Sequence, residues 1–369
     1  MVNSVYIHIP FCSSICTYCD FAKLYYNPKW VNKYLDSLAN EIKTNYKNEK
    51  VKTLYIGGGT PSSLNIEELT KLFNILKIFK LDSDYEFTIE CNIENITKEK
   101  ALLFKKNKIN RISIGVQTFN SKYLKFLGRN HTKESVITKI KMLKEIGFNN
   151  INIDLMYAFP NQTLEELDKD LDEYLKLDIN HISLYSLIIE PNTMIYNKGV
   201  KNIDEDLDAD MYKLISNRLS NYHHYEISNY AKPGYESKHN QVYWNNEHYY
   251  GLGLGASGYI DNIRYTNTRN LTKYLKGEYL DESHELDINE TIENEFILGL
   301  RKIDGINKKH FNQKYNLDIN QIDIVKKLIK ENKLIDNGIN IFINYDMIYI
   351  SNSILCEFIG GNYGKIWIL

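Results

Sequence analysis

The sequence predicts an α/β protein: a partial (β/α)6 barrel of the TIM type, followed by a C-terminal α+β domain of winged-helix-like layout. Short runs rich in Val, Ile and Tyr alternate with longer amphipathic segments over the first half of the chain. About six such pairs follow one another, which is typical of parallel strands covered by helices. No glycine-rich fingerprint follows the first strand, and its absence favours a barrel over a dinucleotide-binding sheet.

Local patterns predict each element of the first half. The helix at residues 132–147 begins with Thr and Glu at capping-box spacing and ends at Gly147. The helix NIEELTKLFNILKIF has an acidic first turn. The other predicted helices are WVNKYLDSLANEIKTNY, TKEKALLFKKN and TLEELDKDLDEYLKL. The predicted strands are SVYIHI, TLYIGG, YEFTIECN, RISIGVQ, NINIDLMY and HISLYSLI.

The pattern changes after Pro191, and we expect three units: residues 1–190 as the barrel, 191–289 as a segment that completes it, and 290–369 as the C-terminal domain. The middle segment opens with a helix, and its residues 222–263 are irregular and aromatic, with a glycine cluster. The last unit contains three helices and a β-like run, NIFINYDMIYI. Its helices show no basic, base-reading face, so we expect no nucleic-acid partner.

Composition points to an ordinary globular protein with a net charge of −2. No apolar stretch reaches the ~18 residues that span a bilayer, and no signal-peptide pattern opens the chain. We therefore expect a cytoplasmic protein with at most peripheral membrane contact. Two isolated cysteines, Cys91 and Cys356, are expected to be small buried apolar residues.

Three of the five cysteines stand in a CxxxCxxC spacing after the first predicted strand: Cys12, Cys16 and Cys19. A structural zinc or a closed iron–sulfur site takes four protein ligands. Phe21 occupies the position where a fourth cysteine would complete CxC. Three thiolates indicate a cluster with one iron open to a small molecule, and a zinc-stabilised binding module is the alternative.

Other candidate residues follow the later strands. The motif GGGTP, residues 57–61, comes directly after the second strand. Glu90 ends the third strand, Gln117 ends the fourth, and Asp154 lies on the fifth. Because reactive residues of β/α barrels sit at the C-terminal ends of strands, we expect these positions to converge with the cysteines on one face.

Several motifs together carry a family resemblance: YIHIPFCSSICTYCDF, IGGGTPSSL, RISIGVQTF, LGR and EPNT. The segment CSSICTYC resembles the cluster motif of the radical S-adenosylmethionine (SAM) superfamily. The ordered set resembles the oxygen-independent coproporphyrinogen III oxidase-like family. The resemblance covers most of the chain and implies a radical SAM barrel.

The resemblance implies that the three clustered cysteines hold a 4Fe–4S cluster whose open iron binds SAM. Glu90 matches the residue that accepts hydrogen bonds from the ribose, and Arg129 suits a carboxylate. Taken alone, Glu90 would be a solvent-facing strand residue, Arg129 a surface charge and Gln117 a helix cap. The full set of implied SAM and cluster contacts is Tyr6, Gly58, Gly59, Thr60, Glu90, Gln117, Arg129 and Asp154.

Two departures point to one branch of this family. Members that decarboxylate coproporphyrinogen carry a cysteine at the position of Phe21 and an additional segment ahead of the cluster. The segment KHNQVYW, residues 238–244, contains HNxxYW, which resembles the haem-chaperone branch, HemW. That branch implies haem contacts at His239, Asn240, Tyr243 and Trp244. The alternative is that this histidine, beside Tyr and Trp, belongs to a packed core turn.

The resemblance thus implies a haem chaperone that binds a 4Fe–4S cluster, SAM and haem. Its implied partners are a haem-receiving cytochrome or respiratory membrane protein and a flavodoxin- or ferredoxin-like reductant. The alternative is an oxygen-independent coproporphyrinogen III oxidase or a related enzyme acting on a tetrapyrrole. The radical SAM apparatus is present in both cases, but we do not expect coproporphyrinogen oxidase activity.

We predict that anaerobic reconstitution loads about four irons and four sulfides per chain, as a 4Fe–4S cluster requires. Replacing Cys12, Cys16 or Cys19 by Ser should abolish loading, because each thiolate is a ligand. The controls Cys91→Ser and Cys356→Ser should load normally. Iron and sulfide analysis is the measurement, and zinc without sulfide would contradict the prediction.

Overall fold

The computed structural model describes residues 2–191, 193–361 and 363. Asn192, part of the EPNT motif, lies outside the described residues, as do residues 364–369 at the end of the predicted C-terminal unit. The strands are β1 Ser4–Ile9, β2 Phe11–Cys12, β3 Leu24–Tyr25, β4 Lys50–Gly58, β5 Lys80–Asn92, β6 Arg111–Gln117, β7 Asn150–Tyr157, β8 His181–Ser186, β9 His223–Glu226, β10 Asn229–Ala231, β11 Tyr250–Leu252, β12 Ser257–Ile260, β13 Ile263–Asn267, β14 Leu280–Glu285, β15 Ile306–Asn307, β16 Leu334–Asp336 and β17 Asn340–Ile343.

The helices lie mostly where the amphipathic patterns predict them. They are α1 Pro28–Asn45, α2 Ile66–Leu76, α3 Lys98–Lys106, α4 Ser121–Leu127, α5 Lys133–Ile146, α6 Leu164–Lys176, α7 Met194–Asn197, α8 Glu205–Arg218, α9 Lys238–Trp244, α10 Leu271–Leu275, α11 Ile288–Gly299, α12 Lys308–Tyr315, α13 Asp323–Lys330 and α14 Ser351–Leu355. Short 3-10 turns occupy Pro61–Ser63, Ile93–Asn95, Ile319–Gln321, Tyr345–Ile350 and Cys356–Phe358.

Nine of the described strands form the main sheet, in the order β11-β1-β4-β5-β6-β7-β8-β10-β9. β1 and β4 to β8 run parallel, so their C-terminal ends meet at one edge. β10 and β9 extend the sheet in the antiparallel sense. The predicted alternation of parallel strands and helices is therefore present.

The prediction that residues 222–263 are irregular is wrong, because they contain the strands β9, β10, β11 and β12 and the helix α9. β11 forms one edge of the main sheet. β11 pairs in parallel with β1, with Tyr250 opposite Val5, although its residues fell within the segment that we predicted to be irregular. The strand is only three residues long and is followed by glycines at positions 253 and 255. Such a short run shows no periodicity, so its pairing with β1 decides its conformation.

The helix at Lys133–Ile146 begins and ends where predicted, but the partner in its capping box differs from the prediction. Thr132 caps α5 and forms its capping box with Ser135, whereas the sequence analysis had assigned that partner role to a Glu. Glu134 stands only two residues after Thr132, so the third helical residue that a capping box requires is Ser135. The helix ends as predicted at Gly147, whose φ of 95° is left-handed.

The C-terminal region has its own apolar core, around Phe296, Val325 and Phe358. It combines α11 to α13 with the three-stranded sheet β15-β17-β16. The predicted β-like run is too long. It ends at Ile343, because the Asn344 side chain accepts the backbone N–H of Asp346 and starts a 3-10 turn.

The two isolated cysteines differ in environment. Cys91 is buried in the main core, as predicted. Cys356 is exposed, and its prediction as a buried residue is wrong. It starts a 3-10 turn in which Phe358 takes the buried position. Across the ranges that the model describes, no helix combines the length and the apolar character that a membrane span requires.

A buried carboxylate attaches the glycine-cluster region to the barrel. Glu41 on α1 accepts hydrogen bonds from the backbone N–H of Gly253, the Asn267 amide and the Tyr274 hydroxyl. Burial raises the pKa of Glu41 to about 6. The folded protein therefore binds a proton at Glu41 more tightly than the unfolded chain does.

We predict that Glu41 makes stability fall as pH rises from about 4.5 to about 6, since its pKa is raised in the folded state. The contribution of Glu41 to the unfolding free energy should decrease by about 2 kcal/mol across this window. Glu41→Gln should lack this decrease, whereas the exposed control Glu145→Gln should retain it. Urea denaturation of the three proteins from pH 4 to 7 is the measurement. Equal pH dependence in Glu41→Gln and wild type would contradict the prediction.

Candidate functional site

A cavity of about 430 Å³ occupies the interior of the barrel and opens beside the cysteine loop. The strands position its walls, because the residues at alternate positions of β5, β6, β7 and β8 face inward. The predicted site residues that line it are Cys12, Cys16, Cys19, Gly58, Gly59, Thr60, Glu90, Gln117, Arg129, Asp154 and Asn240. The convergence expected from the strand ends is thus observed.

The cysteine loop packs tightly against the glycine motif. The Thr60 hydroxyl donates to Cys12 Sγ at 3.5 Å. A Cβ at Gly59 would lie 2.7 Å from the Pro10 carbonyl carbon and 2.9 Å from Cys12 Sγ, so glycine is required there. Burial raises the pKa of the Cys12 thiol to about 11. Binding of a metal would therefore have to displace its proton.

The donor set fits a cluster better than a single ion. All three loop cysteines are free thiols and line the same cavity. Among the described residues, no three His, Cys, Asp or Glu side chains are arranged to hold one metal ion. In a 4Fe–4S cluster each thiolate binds a different iron, so the sulfurs need not converge on one point. Three thiols facing one cavity are therefore compatible with a cluster that has one open iron.

Glu90 is held in place by two donors. The Tyr55 hydroxyl donates to one carboxylate oxygen at 2.7 Å, and the Gly58 N–H donates to the other at 3.1 Å. Burial raises the pKa of Glu90 to about 7, and the nearby charge of Asp154 adds to the rise. Each carboxylate oxygen keeps one lone-pair direction for a further donor. Glu90 can thus accept hydrogen bonds from hydroxyls of a ligand.

Arg129 and Gln117 lie together in the cavity wall, both beside Gly115. Arg129 donates to the Asn92 side chain at 3.0 Å, to the Gly115 carbonyl at 3.1 Å and to the Tyr18 hydroxyl at 3.3 Å. Gln117 has a φ of 70°, a left-handed value at the end of a strand. This backbone conformation is strained in a residue other than glycine, and strained residues are typical of functional sites.

Asp154 lies deeper in the same wall. It accepts a hydrogen bond from the Asn152 amide at 2.7 Å, and burial raises its pKa. Asn152 also donates to the Ser113 hydroxyl. Asp154 is therefore a fixed part of the barrel interior.

Tyr6 lies away from the cavity wall. Its ring stacks on Tyr55 with centroids 6.0 Å apart, and its hydroxyl lies 3.0 Å from His8 Nδ1. The other ring nitrogen of His8 lies 2.7 Å from the Ala22 carbonyl, just after the cysteine loop. Tyr6 thus contacts the site through Tyr55 and His8.

The HNxxYW segment forms α9, which lies at the end of the barrel opposite to the cysteine loop. The backbone N–H groups of Lys238 and His239 donate to Glu86, in β5. The His239 ring reaches Thr53, near the start of β4, and stacks on Tyr55 with centroids 4.9 Å apart. The helix therefore covers the N-terminal end of the strands, while the cysteines lie at their C-terminal end.

Within α9, only Asn240 of the four predicted haem contacts lines the cavity. His239 is 1% exposed, and its two ring nitrogens lie 2.8 Å from the Thr53 hydroxyl and 2.7 Å from the Tyr243 hydroxyl. Burial lowers the pKa of His239 to about 3, so the ring is neutral. Trp244 packs under the Arg301 guanidinium, 5.5 Å from the ring centroid. Iron could reach His239 only after one of its two hydrogen bonds is lost.

The sequence analysis missed several residues that shape the cavity: Tyr18, Tyr55, Asn92, Arg111, Ser113, Asn152, Ser183 and Tyr185. A signal for most of them was available. Parallel strands covered on both faces are usually apolar throughout. RISIGVQ and HISLYS instead carry a polar side chain or a glycine at every second position, which indicates one polar face directed into the barrel.

Comparisons with known proteins agree with this geometry. The radical SAM superfamily model matches residues 6–174. Heme chaperone HemW of Lactococcus lactis subsp. lactis is 40% identical over 369 residues, covering 97% of each chain. Heme chaperone HemW of Bacillus subtilis is 39% identical over 377 residues, covering 97% of this chain and 100% of the relative.

Among solved structures, coproporphyrinogen III oxidase (HemN) of Escherichia coli, described as a radical SAM enzyme, superposes with a TM-score of 0.85. The match covers 96% of this chain and 89% of that chain at 23% identity. At this identity the likeness shows a common fold. The comparisons confirm the fold class and the family predicted from the motifs.

We predict that His239→Ala lowers the unfolding free energy by about 2–4 kcal/mol, because it opens a cavity and leaves Thr53 and Tyr243 without their partner. The neighbouring control Asn240→Ala faces the cavity and should cost less than about 1 kcal/mol. Urea denaturation without added haem is the measurement. If His239→Ala is as stable as wild type, the packing role of His239 is wrong.

Proposed function

The chain belongs to the radical SAM superfamily and, within it, to the heme chaperone HemW family, and on this premise we propose a haem chaperone that binds a 4Fe–4S cluster, SAM and haem. In this proposal, haem is delivered to a respiratory cytochrome or respiratory membrane protein. One observation carries it: the three loop cysteines, the glycine motif and Glu90 line a single cavity.

In this proposal, Cys12, Cys16 and Cys19 hold the cluster, and SAM occupies the cavity beside it. When bound, the cluster and SAM supply one-electron cleavage of a sulfur–carbon bond. Glu90 accepts from the ribose hydroxyls, and its fixed position between Tyr55 and Gly58 supports that role. These donors favour the charged carboxylate, and each further hydroxyl bound to it does the same.

The backbone of Gly58 and Gly59 is proposed to lie against the ammonium group of SAM. A Cβ at Gly58 would lie 2.6 Å from the His8 ring, so a side chain there would displace the wall. Gln117, Arg129 and Asp154 are proposed as the remaining polar contacts. The hydrogen bonds of Arg129 to Asn92 and Tyr18 fix its guanidinium without covering its Nε atom, which has no partner among the described residues.

Haem is proposed to bind at α9, with His239 as the iron ligand and Asn240, Tyr243 and Trp244 as contacts. Coordination would break the bond of His239 to Thr53 or to Tyr243, at a cost of about 0.5–1.5 kcal/mol. A neutral imidazole is the form that binds iron, and the lowered pKa of His239 keeps it neutral. A flavodoxin- or ferredoxin-like protein is proposed as the electron donor, and any membrane contact is peripheral.

A second candidate function is oxygen-independent decarboxylation of coproporphyrinogen III. Phe21 separates the two candidates, because the decarboxylating enzymes carry a cysteine at that position. The Phe21 side chain is 64% exposed and lines the cavity entrance. An apolar ring there supplies neither a fourth thiolate nor a proton donor.

We predict that the anaerobically reconstituted protein binds haemin and does not convert coproporphyrinogen III to protoporphyrinogen IX. Both assays should use one sample with SAM and reductant present, so that a failed reconstitution affects both. Absorbance titration and product analysis are the measurements. Multiple-turnover decarboxylation would favour the second candidate, and absence of haem binding would contradict the first.

A further inference from the structure

Arg111 is a buried cation for which the described residues offer no partner. It begins β6 and is 2% exposed, and it lines the cavity. No hydrogen bond or ion pair from residues 2–191, 193–361 or 363 reaches its guanidinium, and its Nε atom is buried without a partner. Guanidinium groups are almost never buried unless they are paired. The free donors therefore require an explanation.

The strands on either side of β6 also carry buried polar atoms that lack hydrogen-bond partners among the described residues, at the positions next to Arg111. Thr88 of β5 and Asn150 of β7 lie directly beside Arg111 in the sheet register. The Thr88 hydroxyl and the Asn150 carbonyl oxygen are also buried, and neither has a partner among the described residues. Three adjacent strands thus present unsatisfied polar atoms at one level of the barrel.

The nearby carboxylates do not neutralise this charge by direct contact. Burial raises the pKa of Glu90 and of Asp154, and the charge of Arg111 acts against both rises. Neither carboxylate forms an ion pair with Arg111 within the described chain. An unpaired buried charge destabilises a fold, so such a group is expected to receive its partner from a ligand.

Arg129 provides a contrast within the same cavity. Its guanidinium already donates to Asn92, Gly115 and Tyr18, whereas no residue in the described part of the chain bonds to the forked donors of Arg111. A guanidinium fork matches a carboxylate in shape and binds it through two parallel hydrogen bonds. Arg111 is thus the better prepared carboxylate receptor of the two.

We propose that Arg111 binds a carboxylate of the ligand that occupies the cavity, and that this carboxylate is a propionate of haem. The assignment rests on the proposed haem-binding function. Its position supports the propionate, because the charge of Arg111 acts on His239 and both Arg111 and Asn240 line the cavity. A haem held at α9 would therefore have its propionates within the same part of the barrel. The carboxylate of SAM is the other source of the same chemistry.

The test compares each ligand with an analogue that lacks the carboxylate: haemin with haemin dimethyl ester, and SAM with decarboxylated SAM. The full-length reconstituted proteins are wild type, Arg111→Met and Arg111→Lys. Arg264→Met is the matched control, because Arg264 donates to Asn246 outside this cavity. Circular dichroism and thermal unfolding without ligand check that each variant folds.

Wild type and Arg264→Met should bind haemin at least about tenfold more tightly than its ester, since one charge-assisted hydrogen bond is worth that factor or more. Arg111→Met should bind both equally, and Arg111→Lys should retain part of the preference. The unliganded Arg111→Met protein should unfold at the wild-type temperature or above, because an apolar side chain replaces an unpaired charge.

The other outcomes separate the possible failures. If wild type binds haemin and its ester equally, the propionate assignment is overturned while the chaperone function stands. If Arg111→Met loses only the preference for SAM over decarboxylated SAM, the carboxylate that Arg111 binds is the one on SAM. If Arg111→Met keeps both preferences, for haemin over its ester and for SAM over decarboxylated SAM, Arg111 has a structural role. This holds whether or not the variant unfolds at a lower temperature. If wild type binds no haemin, the proposed function fails and the propionate assignment with it.

Discussion

The cavity exists because the inward positions of the barrel strands carry polar side chains that hold one another in place. In filled β/α barrels these positions are occupied by branched apolar residues. Here the Asn152 amide donates to Ser113 and Asp154, and its oxygen lies 2.6 Å from the His181 ring. A buried network of this kind is stable only when its members are satisfied. It keeps the walls fixed while the space between them stays open, and every proposed ligand contact depends on that space.

The two ends of the barrel have different physical characters. At the C-terminal ends of the strands, the cysteine loop and the glycine motif leave thiols and backbone amides facing open space. At the other end, α9 closes the barrel with His239 packed among Thr53, Tyr55 and Tyr243. The HNxxYW segment, which is proposed to bind haem, therefore also closes this end of the barrel. The same imidazole would have to leave its protein partners to serve as a ligand, which couples haem binding to the packing of the barrel end.

The sequence predicted those parts of the site that are encoded locally. The cysteines and the glycine motif are contiguous, and their positions after strands follow from the β/α pattern, so their convergence was predictable. The environment of His239 was not, because its partners Thr53 and Glu86 lie more than 150 residues earlier in the chain. β11 was missed because three residues show no period, and Cys356 because one turn decides which side chain is buried. Arg111 was visible as one of the polar residues that alternate with apolar ones in β6, but only the fold shows that the described residues offer it no partner.

The pairing of β11 with β1 also sets an order of events during protein synthesis. β1 precedes β11 by about 240 residues, so among the described residues the outer edge of β1 stays uncovered until residues 250–252 have been made. Until then, the strand that leads into the cysteine loop has one row of backbone donors and acceptors open to solvent and to other chains. The native neighbourhood of the loop is therefore completed only after residues 250–252 have emerged. Metallocentre assembly on a nascent chain would thus meet a barrel whose edge beside β1 is still open.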